Sequence, residues 1–125
     1  MGEIKETKDK AIRAANDHEI REHREPKDVL EKRGYDIISI SPDGQERHIE
    51  IKGRRKEKAP HVFLTENELK MAKEDPNFWL YLTVGEGSNI KLYTIPGRIV
   101  AEKVKREIRW RLGLRKWIKE FQQEV

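Results

Sequence analysis

The stretch GYDIISISPDGQERHIEIKG, residues 34–53, leaves a chain little choice of local fold. Tyr35 to Ser41 is rich in β-branched residues, and PDGQ supplies a tight turn on Asp43 and Gly44, so ERHIEIKG returns as the second strand of a hairpin. Side chains alternate along a strand, which sends Ile49 and Ile51 to one face and His48, Glu50 and Lys52 to the other. The hairpin also brings the end of its second strand back to the start of the first. Asp36 and Glu50 are therefore expected to be neighbours.

The remaining elements follow from periodicity. A helix is predicted over about Lys8 to Glu22, with Ile12, Ala15, Glu19 and Ile20 on one face, and a loop through Pro26 to Gly34. After a basic loop, HVFL is a short strand, and Thr65 stands three residues before Glu68 in a capping box that opens a helix ending near Asp75. FWLYLTV (Phe78 to Val84) and IKLYTI (Ile90 to Ile95) form a second hairpin. A basic helix over 98–122 is expected to follow, because Val100, Val104, Ile108 and Leu112 recur every four residues. The predicted order is α-β-β-β-α-β-β-α, an α/β fold with a mixed central β-sheet flanked by helices.

A chain of 125 residues is the size of one domain, with a core over about 11–96 and the basic helix after it. It contains no cysteine, which excludes disulfides and thiolate metal sites, so any metal must be held by oxygen or imidazole. No apolar run approaches the roughly 20 residues that span a bilayer, and the first residues lack a secretory h-region. A cytoplasmic protein with no membrane partner is the expectation. The net charge is +4, but it is unevenly placed. Nine basic and four acidic residues lie between Arg98 and Val125, and KGRRKEK (52–58) holds five basic and one acidic, the uneven footprint of a polyanion binder.

Asp36 and Glu50 on adjacent strands suit a hard divalent cation, Mg²⁺ or Mn²⁺, which takes carboxylates and carbonyl oxygens plus water. Lys52 beside them would act as a point charge on a hydroxide or a transition state. Glu19 sits on an apolar helix stripe, where an unpaired carboxylate is costly, so it should face a metal or a partner; the alternative is a surface carboxylate paired with Arg21 or Lys32. Of the histidines His18, His23, His48 and His61, only His48 shares the Glu50 face, and it is kept as a phosphate contact. Arg54, Arg55, Lys56 and Lys58 adjoin the carboxylates as candidate nucleic-acid contacts. Arg109, Arg111 and Arg115 either track a phosphate backbone or solvate the last helix.

GYDI, DGQERHIEIKG, LTENE and WLYLTV, in that order and spacing, resemble the NO VEIN C-terminal-like domain, often fused to helicases, within the PD-(D/E)XK nuclease superfamily. The similarity runs from about Ala11 to Pro96. The resemblance implies a restriction-endonuclease-like core, with Asp36 and Glu50 binding the metal, the Ile51 carbonyl as a further ligand, Lys52 assisting hydrolysis and Glu19 as the helix carboxylate. The function expected is a divalent-metal-dependent nuclease domain that hydrolyses phosphodiester bonds in DNA, with RNA as the other candidate. The alternative is a catalytically inactive nucleic-acid-binding module that positions a helicase or another partner. A homodimer through the C-terminal helix is a further expectation.

Overall fold

The structure, a computed structural model, describes residues 2–29, 34–55, 61–106 and 110–125, with side chains from Thr7 onward. A first helix, α1 (Gly2–Arg21), is followed by the strands β1 (Glu25–Asp28), β2 (Ile37–Ile40), β3 (Glu46–Arg54) and β4 (His61–Leu64). The helix α2 (Glu66–Glu74) leads to β5 (Phe78–Val84) and β6 (Lys91–Pro96). A short helix α3 (Gly97–Lys103), the strands β7 (Val104–Arg106) and β8 (Trp110–Gly113), a 3₁₀ turn (Lys116–Phe121) and β9 (Gln122–Gln123) complete the chain.

The main sheet has the order β1-β2-β3-β5-β6-β9 among the described residues. All neighbours are antiparallel except β3 and β5, which run parallel. Ile37, Ile49, Ile51, Tyr81 and Leu92 are buried on one face with Ala11 and Ala15 of α1. On the other face Phe78, Leu80, Leu82 and Ile95 form the larger core with Ala72 of α2 and Val100 of α3. The expected mixed sheet flanked by helices is therefore the observed architecture.

The element order departs from expectation at two places. Glu25–Asp28 pairs with β2 instead of lying in a loop, and in its place at the sheet edge Pro26 has no amide to lose, as edge strands tolerate. More consequentially, no helix spans 98–122. The four-residue spacing of Val100, Val104 and Leu112 is an even number, so it satisfies a strand's period of two as readily as a helix's 3.6. Val104 and Leu112 prove to be cross-strand partners in a second sheet, β4-β8-β7. The apolar residues of the expected helix pack within the chain: Leu112 and Ile118 are buried in the larger core, and Trp117 and Phe121 pack against it.

α1 ends in a Schellman motif. His23 takes a left-handed conformation (φ 62°), its amide donates to the Ile20 carbonyl at 3.0 Å, and the Arg24 amide donates to the Glu19 carbonyl at 2.8 Å. At its other end α1 lies hard against β3. A Cβ on Gly53 would sit 3.0 Å from the Thr7 carbonyl oxygen and 3.2 Å from Thr83 Oγ1. Gly53→Ala is expected to lower stability by about 1–3 kcal/mol, as overpacking does, read as a lower midpoint of urea unfolding.

Candidate functional site

β3 runs on past the start of β2. Ile37 pairs with Ile49, and the Ile51 amide and carbonyl point to the same side as those of Ile49. No described strand continues β2 at that point. Buried main-chain groups need partners, and two side chains supply them. Asp36 Oδ2 accepts from the Ile51 amide at 2.8 Å, and the Ile51 carbonyl accepts a hydrogen bond from Lys8 Nζ. The same ammonium donates to Asp36 Oδ2 at 3.0 Å and stands 3.9 Å from Glu50 Oε2. Two carboxylates and a carbonyl thus converge on one cationic nitrogen.

Lys8 reaches this point because it belongs to the buried face of α1, three, four, seven and eleven residues ahead of Ala11, Ile12, Ala15 and Glu19. The true stripe is shifted from the expected one, since Ile20 is 60% exposed. Glu50 and Lys52 lean to the α2 side, where Lys52 Nζ lies 2.9 Å from Glu68 Oε1 and 3.8 Å from Glu50 Oε2. Glu68 also closes the capping box: it accepts from the Thr65 amide at 3.0 Å, and its own amide donates to Thr65 Oγ1. One carboxylate therefore serves a helix terminus and a site lysine together. Burial, and then the charges of Glu68 and Asp36, push Glu50 up to about 9, against the pull of Lys52 and Lys8.

Such a set of oxygens fits a hard cation. Among the described residues no cluster of three or more His, Asp or Glu side chains has the arrangement to hold a metal. A cation here would draw on Asp36, Glu50, the Ile51 carbonyl and water, the mixture that Mg²⁺ accepts.

Glu19 is not part of this group. It faces Tyr81, on the α1 side of the sheet, whereas Glu50 and Lys52 lean the other way, so the sheet itself separates them. Glu19 is fully buried and gripped by Arg24, whose Nε and second terminal nitrogen donate at 2.7 and 2.9 Å, while the Tyr81 hydroxyl donates at 2.6 Å. Burial alone would raise its pKa, but these hydrogen bonds outweigh it and hold the carboxyl below its usual value. Of the two partners expected, Arg21 donates instead to the Glu124 carbonyl, and Lys32 lies outside the described residues. The left-handed turn at His23 folds Arg24 back over Glu19, a reversal that helical spacing does not reveal.

His48 is also otherwise engaged. Nδ1 lies 2.5 Å from Asp75 Oδ2, Nε2 lies 3.0 Å from Glu46 Oε1, and the ring stacks on Tyr35. Both nitrogens are taken by carboxylates, so the expected phosphate contact has no free donor. Arg54 ends β3, and Arg55 is paired with Glu86 at 2.5 Å. Lys56, Lys58 and Arg109 lie outside the described residues. Arg111 and Arg115 line a hollow of about 450 Å³ with Lys103, Lys105 and Trp117.

Lys8 and Glu68 are the site residues that sequence reasoning missed. Continuing the Ala15, Ile12, Ala11 stripe toward the N-terminus would have reached Lys8. Glu68 was visible only as a cap.

The chain superposes on Hjc, a Holliday junction resolvase from the archaeal hyperthermophile Archaeoglobus fulgidus, with a TM-score of 0.63 and 12% identity, covering 94% of this chain and 91% of that one. At that identity the likeness is one of fold alone, a mixed sheet flanked by helices. No curated protein matches the chain in sequence. Residues 7–95 match the family described as Protein NO VEIN, C-terminal, and the chain belongs to that family.

The buried Glu19 and Arg24 pair predicts a stability profile. Because the Glu19 pKa is depressed in the folded state, its contribution is complete above the ordinary carboxylate value and is lost as pH falls through the depressed one. Arg24→Met leaves a buried, uncompensated charge and is expected to cost about 3–5 kcal/mol near neutral pH. Glu19→Gln should flatten the acid limb of stability against pH, measured by urea unfolding between pH 3 and 7.

Proposed function

We propose that this domain hydrolyses phosphodiester bonds in DNA with a divalent cation, Mg²⁺ or Mn²⁺, held by Asp36, Glu50 and the Ile51 carbonyl. The observation that carries the reading is the meeting of those three oxygen donors on a single positive nitrogen at the open edge of β3. A divalent ion bound there lowers the pKa of its water and offsets charge that builds on the phosphate.

The chain's own groups have separable tasks. Asp36 ties the site to β3 through the Ile51 amide, which fixes its carboxylate relative to the Glu50 side chain. Lys52 is the catalytic cation, positioned beside Glu50 and restrained by Glu68, with an ammonium able to stabilise negative charge on the attacked phosphate. Glu19 is a positioning residue of the fold and takes no part in hydrolysis. Arg54, Arg55, Arg111 and Arg115 are the described arginines of the expected set that would meet the phosphate backbone, with Arg55 exchanging Glu86 for phosphate, joined by Lys103 and Lys105 around the hollow that also contains Trp117. Because the neighbouring fold is that of a Holliday junction resolvase, a four-way junction belongs among the first substrates tried.

A second reading is favoured by one feature of the site. Lys8 already places a positive charge among the three donors, which suits a silent nucleic-acid-binding module that positions a helicase or another partner.

Incubation with plasmid, single-stranded and four-way-junction DNA in Mg²⁺, Mn²⁺ or EDTA separates the two. Cleavage with either metal, abolished by EDTA and lowered at least about 100-fold by Asp36→Ala or Lys52→Ala, is expected, a loss of the size seen when one charge-stabilising group is removed. Salt-sensitive binding with no cleavage would establish the binding module instead.

A further inference from the structure

We infer that Lys8 is the chain's own cation at the carboxylate site, holding Asp36, Glu50 and the Ile51 carbonyl together until a divalent ion displaces it. The inference rests on the metal-site reading above and adds to it a competitor for the metal and a lever for regulation.

Three observations carry it. Lys8 Nζ donates to Asp36 Oδ2 at 3.0 Å and to the Ile51 carbonyl, and stands 3.9 Å from Glu50 Oε2, so it engages every donor that a metal would use. An ammonium and a bound divalent ion cannot share that point, because like charges repel and the oxygens face a single centre. The residue is also built into place. It lies on the buried stripe of α1, and the close approach of the Thr7 carbonyl to Gly53 presses that part of the helix onto β3. Lysine suits the role because its ammonium ends a flexible four-carbon stem that can swing aside. The Lys8 side chain is 38% exposed, which leaves it a route to solvent.

The exchange has a simple balance. A divalent ion entering the site frees one ammonium, which passes to water with its charge unchanged. No bond is made or broken in the chain. Affinity for the ion is reduced by whatever free energy the ammonium loses on leaving.

The decisive measurement reads Lys8 in the wild-type protein. Its amine is acylated with a limiting amount of reagent, with EDTA or with Mn²⁺, and modification at each lysine is followed by mass spectrometry. Lys8 should react slowly in EDTA and several-fold faster in Mn²⁺, while exposed Lys70 reacts alike in both. In parallel, Mn²⁺ binding to wild type, Lys8→Met, Lys8→Gln and Arg13→Met is measured by calorimetry, with folding of each checked by circular dichroism. Both Lys8 variants should bind about 10- to 100-fold more tightly than wild type, the range set by the loss of one charge-assisted hydrogen bond. Arg13→Met, on the exposed side of the same helix, should bind as wild type does.

Equal affinity in all four proteins, with binding abolished by Asp36→Asn, would overturn the role of Lys8 and leave the metal site standing. Metal-independent acylation of Lys8 would overturn it as well. Absence of Mn²⁺ binding in every protein would remove the metal site and this inference together.

Discussion

The pairing of Ile37–Ile40 with Glu46–Ile49 is the constraint on which the other features depend. It sets the parity of β3, and parity decides which helix each side chain meets. Ile49 and Ile51 go to α1, while Glu50 and Lys52 go toward α2. It also determines where β2 begins, and so where β3 runs on beyond its strand partner among the described residues. The oxygens of Asp36, Glu50 and Ile51 gather at that edge because the main chain of Ile51 needs partners there. A slip of one residue in this register would exchange the two faces and bury the lysine in the α1 core.

Much of this is legible in the amino-acid sequence. The hairpin, the capping box, the strands FWLYLTV and IKLYTI and the proximity of Asp36 to Glu50 all follow from local pattern, since each depends on contacts within one element or across one turn. The C-terminal region was misread because a spacing of four residues does not distinguish the two regular periods. Tertiary pairing of Val104 with Leu112 settled the matter in favour of strand. Glu19 was rightly expected to need a partner, but the identity of that partner depended on a left-handed turn at a histidine, where propensity points to glycine. Lys8 lies one turn ahead of the apolar stripe that begins at Ile12, and only the packing of α1 on β3 shows where its end arrives.

The two faces of the sheet handle buried charge in different ways. On the α1 side the Glu19 carboxylate is matched by Arg24 and the Tyr81 hydroxyl, an arrangement complete in itself that holds the helix end to the sheet. At the β3 edge three carboxylates, Asp36, Glu50 and Glu68, stand close to two lysines, Lys8 and Lys52, and burial together with the neighbouring acids raises the Glu50 pKa. The first arrangement is closed and stabilising. The second keeps an excess of acid that additional positive charge would relieve, which is what the proposed cation site requires.

Glu68 joins the second arrangement to the secondary structure. Its carboxylate accepts from the Thr65 amide at the start of α2 and, with the same oxygen, holds the Lys52 ammonium. Withdrawal of Lys52 toward a substrate would therefore leave that oxygen wholly to the helix, and fraying of the first turn of α2 would loosen the lysine. The reach of Lys52 and the length of α2 are in this sense one degree of freedom, and the strength of a helix cap becomes a setting of the site's chemistry.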